Sequence, residues 1–188
     1  HDAAAAPLVY NFDGFADLTA ITNQISGLTF SNSTVLQAGG SLNEFEFPPH
    51  SGAGVLVDSS GPITINFSTP VFSVGGYFTY NNGLTFSAFD ASNTLLGSDS
   101  ANFASNLASS GTPGSSPNEL FTFSDVSGHI ARIVITGDVL GQSFVLDDLT
   151  VDSGAGNAIP EPQTLALMLG ALALGMLPGG WLLRSRSN

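Results

Sequence analysis

The sequence predicts an all-β chain: a two-sheet β-sandwich of jelly-roll type, followed by one C-terminal transmembrane helix. Three observations carry this. Before residue 160, short runs rich in Val, Ile, Thr and Phe recur between breaks of Gly, Pro, Asn and Ser, as strands and turns require. Apart from a helical turn allowed at 17–24, no segment of that stretch keeps the 3.6-residue period of an amphipathic helix. After residue 160 the pattern changes: an uncharged run from Gln163 to Leu183 leads into Arg184 and Arg186.

Taken in order, residues 1–7 (His1, Asp2, four Ala and Pro7) read as a flexible terminus or the small-residue end of a signal peptide, outside the fold. Strands are expected at 8–12, 27–31, 34–36 and 55–57. At 63–67 the alternation is strict, with Ile63, Ile65 and Phe67 on one face and Thr64 and Asn66 on the other, the pattern of a half-buried strand. Strands at 71–80 and 84–89 flank Asn81, Asn82 and Gly83. Asn-Gly supplies the positive φ angles of a type I′ turn, so this pair reads as a hairpin. Further strands follow at 94–96, 120–123, 130–136 and 144–151. The long connections 37–54 and 98–118 suit Greek-key crossings, the second being Ser-rich and expected to be mobile. The ectodomain thus spans 8–152, a Gly-rich linker 153–158 and a separate tail 159–188.

Composition narrows the function. The chain of 188 residues has no Cys, which excludes disulfides, thiolate metal sites and a cysteine nucleophile. Residues 1–160 carry 14 Asp or Glu against the single basic Arg132, a formal charge of −13. Such a chain repels nucleic acid, which is excluded as a partner, and attracts divalent cations.

The apolar part of the tail, Leu165 to Leu183, is 19 residues long. As a helix it spans roughly 28 Å, enough to cross the hydrocarbon of a bilayer. The arginines behind it favour a cytoplasmic C-terminus and an exported body. Pro160-Glu161-Pro162, the apolar run and terminal Arg184 and Arg186 resemble the PEP-CTERM sorting signal of exported bacterial proteins. That resemblance implies an exosortase as partner, transient anchoring in the inner membrane, and delivery to the cell surface or extracellular matrix. Two features depart from the family: a sparser Arg end, and Pro178-Gly179-Gly180 interrupting the helix. An uncleaved single-pass anchor is the other reading of the same residues.

The body has its own resemblance. Phe12-Asp13-Gly14-Phe15, Ile21 to Gln24, Gly27 to Phe30, Gly76 to Tyr80 with Phe86 to Asp90, and Phe144 to Val151 resemble segments of exported PEP-CTERM ectodomains. These segments look like jelly rolls of the carbohydrate-binding-module kind, a resemblance that implies a fold and does not by itself give a function.

The search for chemistry is mostly negative. His1, His50 and His129 are scattered without metal-ligand spacing, and no Gly-x-Ser-x-Gly elbow occurs. Glu44, Glu46 and Glu119 are the carboxylates a secreted polysaccharide-acting hydrolase would need, but Glu44 and Glu46 alternate with Phe45 and Phe47 as a solvated strand face would.

Asp147 and Asp148 are more informative. In a regular strand their carboxylates point to opposite faces, so one falls on the apolar side and needs a cation, a proton, hydrogen-bond donors or a place at the rim. Two readings stand side by side. The jelly-roll resemblance implies a structural Ca²⁺ held by Asp13 with Asp147 or Asp148, although no cofactor is required. Otherwise Asp13 caps its turn and Asp147 and Asp148 accept backbone N–H groups. Tyr77 and Tyr80 are the candidates for stacking on a sugar ring, with core packing as the alternative. Trp181, the single Trp, lies in the tail. The whole favours a non-catalytic exported surface or matrix protein that binds exopolysaccharide.

Overall fold

The computed structural model describes residues 6–154, which form twelve β-strands and no helix. The Pro-Glu-Pro motif, the predicted membrane span, Arg184 and Arg186 lie outside the described residues. No helix among the described residues is long and apolar enough to cross a membrane.

The strands are β1 (Leu8–Tyr10), β2 (Ala20–Ile21), β3 (Leu28–Ser31), β4 (Ser33–Gln37), β5 (Gly54–Asp58), β6 (Ile63–Val71), β7 (Ser73–Tyr80), β8 (Thr85–Phe89), β9 (Leu95–Ser100), β10 (Glu119–Ser124), β11 (Ile130–Thr136) and β12 (Phe144–Asp152). They divide into two antiparallel sheets. The seven-stranded sheet runs β10-β7-β12-β5-β4-β2. In it β12 pairs with β5 at Val145 and Leu146 and with β1 from Leu149 to Val151. The five-stranded sheet runs β3-β6-β11-β8-β9.

Alternation builds the core between them. Ile63, Ile65 and Phe67 of β6 point inward as expected, and Ile133 and Ile135 of β11 pair with Ile65 and Ile63. Phe144, Leu146, Leu149 and Val151 of β12 and Val74, Phe78 and Tyr80 of β7 face them. Phe78 sits at the centre, edge-on to Phe121 at 5.1 Å and to Phe86 at 6.0 Å between ring centroids. Such edge-to-face pairs match ring edges to ring faces and add to the burial each ring already gains. Gly76 lets β7 pass close to β12, because a Cβ there would lie 2.4 Å from Leu146 Cδ1.

Three expectations are corrected. The 81–83 segment is no hairpin: β7 belongs to one sheet and β8 to the other, and the Asn-Gly turn links them. Both edges of β7 are taken by β10 and β12, and both edges of β8 by β11 and β9, so the two strands cannot pair with each other. None of Asn81, Asn82 or Gly83 adopts a positive φ. The expected strand 71–80 is broken at Phe72, where the chain crosses between sheets. Finally, 17–24 contains the short strand β2 where a helical turn was allowed, its Ile21 being needed in the core.

The two long connections are anchored. Within 101–118, Asn106 is fully buried; its side chain accepts from Tyr80 N–H and donates to the Phe78 carbonyl. Residues 38–53 fold over the outer face of the seven-stranded sheet. There Leu42, Val55 and Val145 form a small second core with Leu36, Ala38, Phe47 and Val57.

Candidate functional site

The paired aspartates of β12 sit at a register shift between Asp147 and Thr150 against β7. Asp148 adopts a left-handed conformation (φ 47), and this extra residue breaks the alternation that would have sent one carboxylate into the core. Both carboxylates instead meet the 50–51 loop. Asp147 Oδ2 accepts the backbone N–H groups of His50 and Ser51, each at 2.8 Å, while its Oδ1 accepts Asp148 N–H at 2.7 Å. Asp148 accepts from the Ser51 hydroxyl at 2.7 Å and pairs with His50 Nδ1 at 2.7 Å.

Asp13 serves the same loop from another side. Its Oδ1 accepts Ala53 and Gly54 N–H at 2.7 and 2.8 Å. Gly52 makes room for it: φ is +53, and a Cβ would fall 1.9 Å from Asp13 Oδ2. The three aspartates singled out in the sequence thus converge on residues 50–54 as acceptors of N–H and O–H groups. Among the described residues no group of three or more His, Cys, Asp or Glu is arranged to hold a metal ion. Asp13 Oδ1 and both oxygens of Asp147 and of Asp148 are engaged by the donors of this loop and of Asp148 itself.

Burial sets the electrostatics. Desolvation pushes the Asp147 carboxyl up to about 6, although its N–H donors and the neighbouring Asp148 also act on it. Asp58, fully buried, is raised by desolvation against the hydrogen bonds of Ser143 and Phe144 that close the start of β12. Half-buried Asp17 is lowered, first by the Gln37 N–H and then by Ser41.

The tyrosines separate. Tyr80 is buried between the sheets and bonds Glu119 through its hydroxyl, so it cannot stack on a sugar. Tyr77 points outward, but His50 lies parallel on it at 3.4 Å between ring centroids and covers one ring face. Two carboxylates of the hydrolase reading are engaged by neighbouring side chains. Glu46 accepts from Ser109, and Glu119 is occupied by Tyr80 and Asn102. Nor is 44–47 a strand: it turns back on Asn43, leaving Phe45 86% exposed while Phe47 joins the small second core.

The outer face of the five-stranded sheet differs from all of this. One row across it reads Thr29, Asn66, Arg132, Phe89 and Leu95; the next reads Ser31, Thr64, Val134, Ser87 and Ser98. Neither row contains a carboxylate, and no segment of the described residues folds over them. The Arg132 guanidinium lies over the Phe89 ring, 4.5 Å from its centroid, and its buried Nε has no hydrogen-bond partner. Among the described residues no carboxylate forms an ion pair with it. Sequence reasoning missed this face because a Ser/Thr strand pattern is ordinary for any solvated sheet. Its one signal was that the only basic side chain before the tail sits mid-strand.

No family model matches the chain, and no curated protein matches it. Solved structures do resemble its fold. The K2 cleaved adhesin domain of Lys-gingipain aligns with a TM-score of 0.49 and 14% identity, over 78% of this chain and 99% of that one. A family 29 carbohydrate-binding module from Piromyces equi aligns at 0.44 and 12%, over 87% and 99%. A xylan-binding domain from Paenibacillus barcinonensis aligns at 0.42 and 13%, over 84% and 99%. These are likenesses of fold at low identity.

Proposed function

We propose that this is a non-catalytic exported protein of the cell surface or extracellular matrix, holding exopolysaccharide on the outer face of its five-stranded sheet. Delivery follows from the tail: Pro160-Glu161-Pro162 is presented to an exosortase, the 165–183 span holds the precursor in the inner membrane, and Arg184 and Arg186 remain cytoplasmic.

The observation that carries the binding half is the carboxylate-free outer face around Arg132. The described residues carry 13 carboxylates, yet the two cross-strand rows carry none, so a polysaccharide approaches there without carboxylate repulsion. Hydroxyl and amide groups of Thr29, Asn66, Thr64 and Ser87 exchange hydrogen bonds with sugar hydroxyls. The guanidinium stacked on Phe89 offers both a flat surface and donors. The hydrolase reading has no such support, since Glu46 and Glu119 are engaged by Ser109 and by Tyr80 and Asn102.

Two measurements test the halves separately. Retention of the detergent-held full chain on the producing cell's exopolysaccharide tests binding; a folded sample that is not retained contradicts it. Fractionation of cells carrying Glu161→Ala tests delivery. Precursor should accumulate in the membrane fraction, and unchanged release would contradict the sorting role.

A further inference from the structure

A cleft of about 330 Å³ opens on the opposite sheet, beside the 38–53 cover. That volume is at the lower end of the roughly 300–1,000 Å³ typical of small-ligand clefts. Its apolar surfaces come from Leu36 and Val57 on neighbouring strands and from Leu18. Its polar rim comes from Thr34 and Ser59, whose hydroxyls bond each other at 2.7 Å, from Ser41, which donates to Asp17, and from exposed Gln142.

The backbone at two of these positions is unusual. Leu18 and Gln142 both hold left-handed conformations, φ 62 and φ 58. Residues with a Cβ adopt this region reluctantly; Gly and Asn do so readily. Elsewhere the region is taken by Asn at 32, 93 and 118, by Gly at nine positions, and by Phe12 and Asp148, of which Phe12 is buried in the core and Asp148 is bonded to the 50–51 loop. Leu18 is moreover 65% exposed, so its side chain gains little from folding. Strained bulky residues that buy no burial point to what their side chains present, here an apolar wall and an amide on the same cleft.

Among the described residues no Lys, Arg or His lines the cleft, and Asp17 accepts from Ser41 at its rim. Phosphate or carboxylate ligands are therefore disfavoured. Apolar walls with a hydroxyl and amide rim match a ring that has one face of C–H groups and an edge of hydroxyls. We propose that this cleft binds a single neutral pyranose unit, as a second subsite for the same polysaccharide. It rests on the glycan-binding reading above.

The test titrates the isotope-labelled full chain in detergent with the methyl glycosides of glucose, galactose and mannose, and with methyl glucuronoside, each to about 100 mM, so that dissociation constants up to the millimolar range are reached. Saturable amide shifts at Leu18, Ser59 and Gln142 with at least one neutral glycoside, and at least tenfold weaker with glucuronoside, are expected. Leu18→Gly and Gln142→Gly relieve the backbone strain, so they should keep or raise the melting temperature while weakening the sugar at least tenfold. No shift with any neutral glycoside, shifts confined to other residues, or equal response to glucuronoside would overturn the proposal. Retention of the polymer by the same sample separates the two ideas. Polymer held without cleft shifts removes the cleft alone; polymer not held removes the parent reading.

Discussion

The two outer faces of the sandwich have been put to opposite uses. Over the seven-stranded sheet, residues 38–53 are folded down, a small second core is sealed beneath them, and Asp13, Asp147 and Asp148 fasten the far end of the segment. Over the five-stranded sheet no segment of the described residues is folded, and the cross-strand rows carry hydroxyls, one amide and one arginine but no carboxylate. The contrast teaches that this chain's acidity is partly structural. In a protein with no Lys, backbone N–H groups and hydroxyls take the place of cations as partners for buried carboxylates.

The sharpest way to break the comparison is to unfasten the cover. Asp147→Ala leaves the N–H groups of His50, Ser51 and Asp148 without their acceptor. Orphaned donors cost about 1–3 kcal/mol each when fully buried and less where water reaches them, and all three here are part-buried, so a total loss of roughly 2–4 kcal/mol is expected from urea unfolding. A loss below about 0.5 kcal/mol would show that the fastening is incidental.

Next in size is Gly52→Ala, which places a methyl group against the Asp13 carboxylate in an already left-handed backbone. About 2 kcal/mol of destabilisation is expected by the same measurement, the sum of strain and displaced hydrogen bonds.

The pH dependence sharpens the comparison further. Asp147 in the fold is raised to about 6, above the ordinary carboxylate value, so the fold binds its proton more tightly than the unfolded chain does. The stability from that proton is fully present below about pH 3.9 and is lost as pH rises through about 6. Asp58 shifts in the same direction. Thermal unfolding scanned from pH 4 to 7 should therefore show a falling melting temperature. Asp147→Asn should flatten part of that slope, and an unchanged slope would contradict the assignment.

On the open face the smallest stability effect is expected. Arg132→Gln removes a charge that pairs with no carboxylate of the described residues, and the change should stay within about 0.5 kcal/mol.

The sheet-forming pattern was largely legible in the sequence. Ile63, Ile65 and Phe67 announced their face because period-2 alternation is a local property. The Asn81-Asn82-Gly83 turn misled for the converse reason: turn chemistry reports a reversal, whereas which sheet the next strand joins depends on edges already taken by distant strands. Asp147 and Asp148 were legible as an anomaly, two carboxylates inside an apolar strand. Their resolution was not, because it needed a bulge at Asp148 and donors about a hundred residues earlier in the chain. His50 over Tyr77 and Arg132 over Phe89 left no sequence signal, since both contacts arise only from strand register and loop placement.

The most direct measurement of the central claim compares retention on the exopolysaccharide for the unaltered full chain, Arg132→Gln with Asn66→Ala on the open face, and His50→Ala on the covered face. The open-face variant should be retained about tenfold less, equivalent to about 1.4 kcal/mol, while the His50 variant should match the unaltered chain. Loss of retention in the His50 variant with none in the open-face variant would place the ligand on the covered sheet and contradict the account.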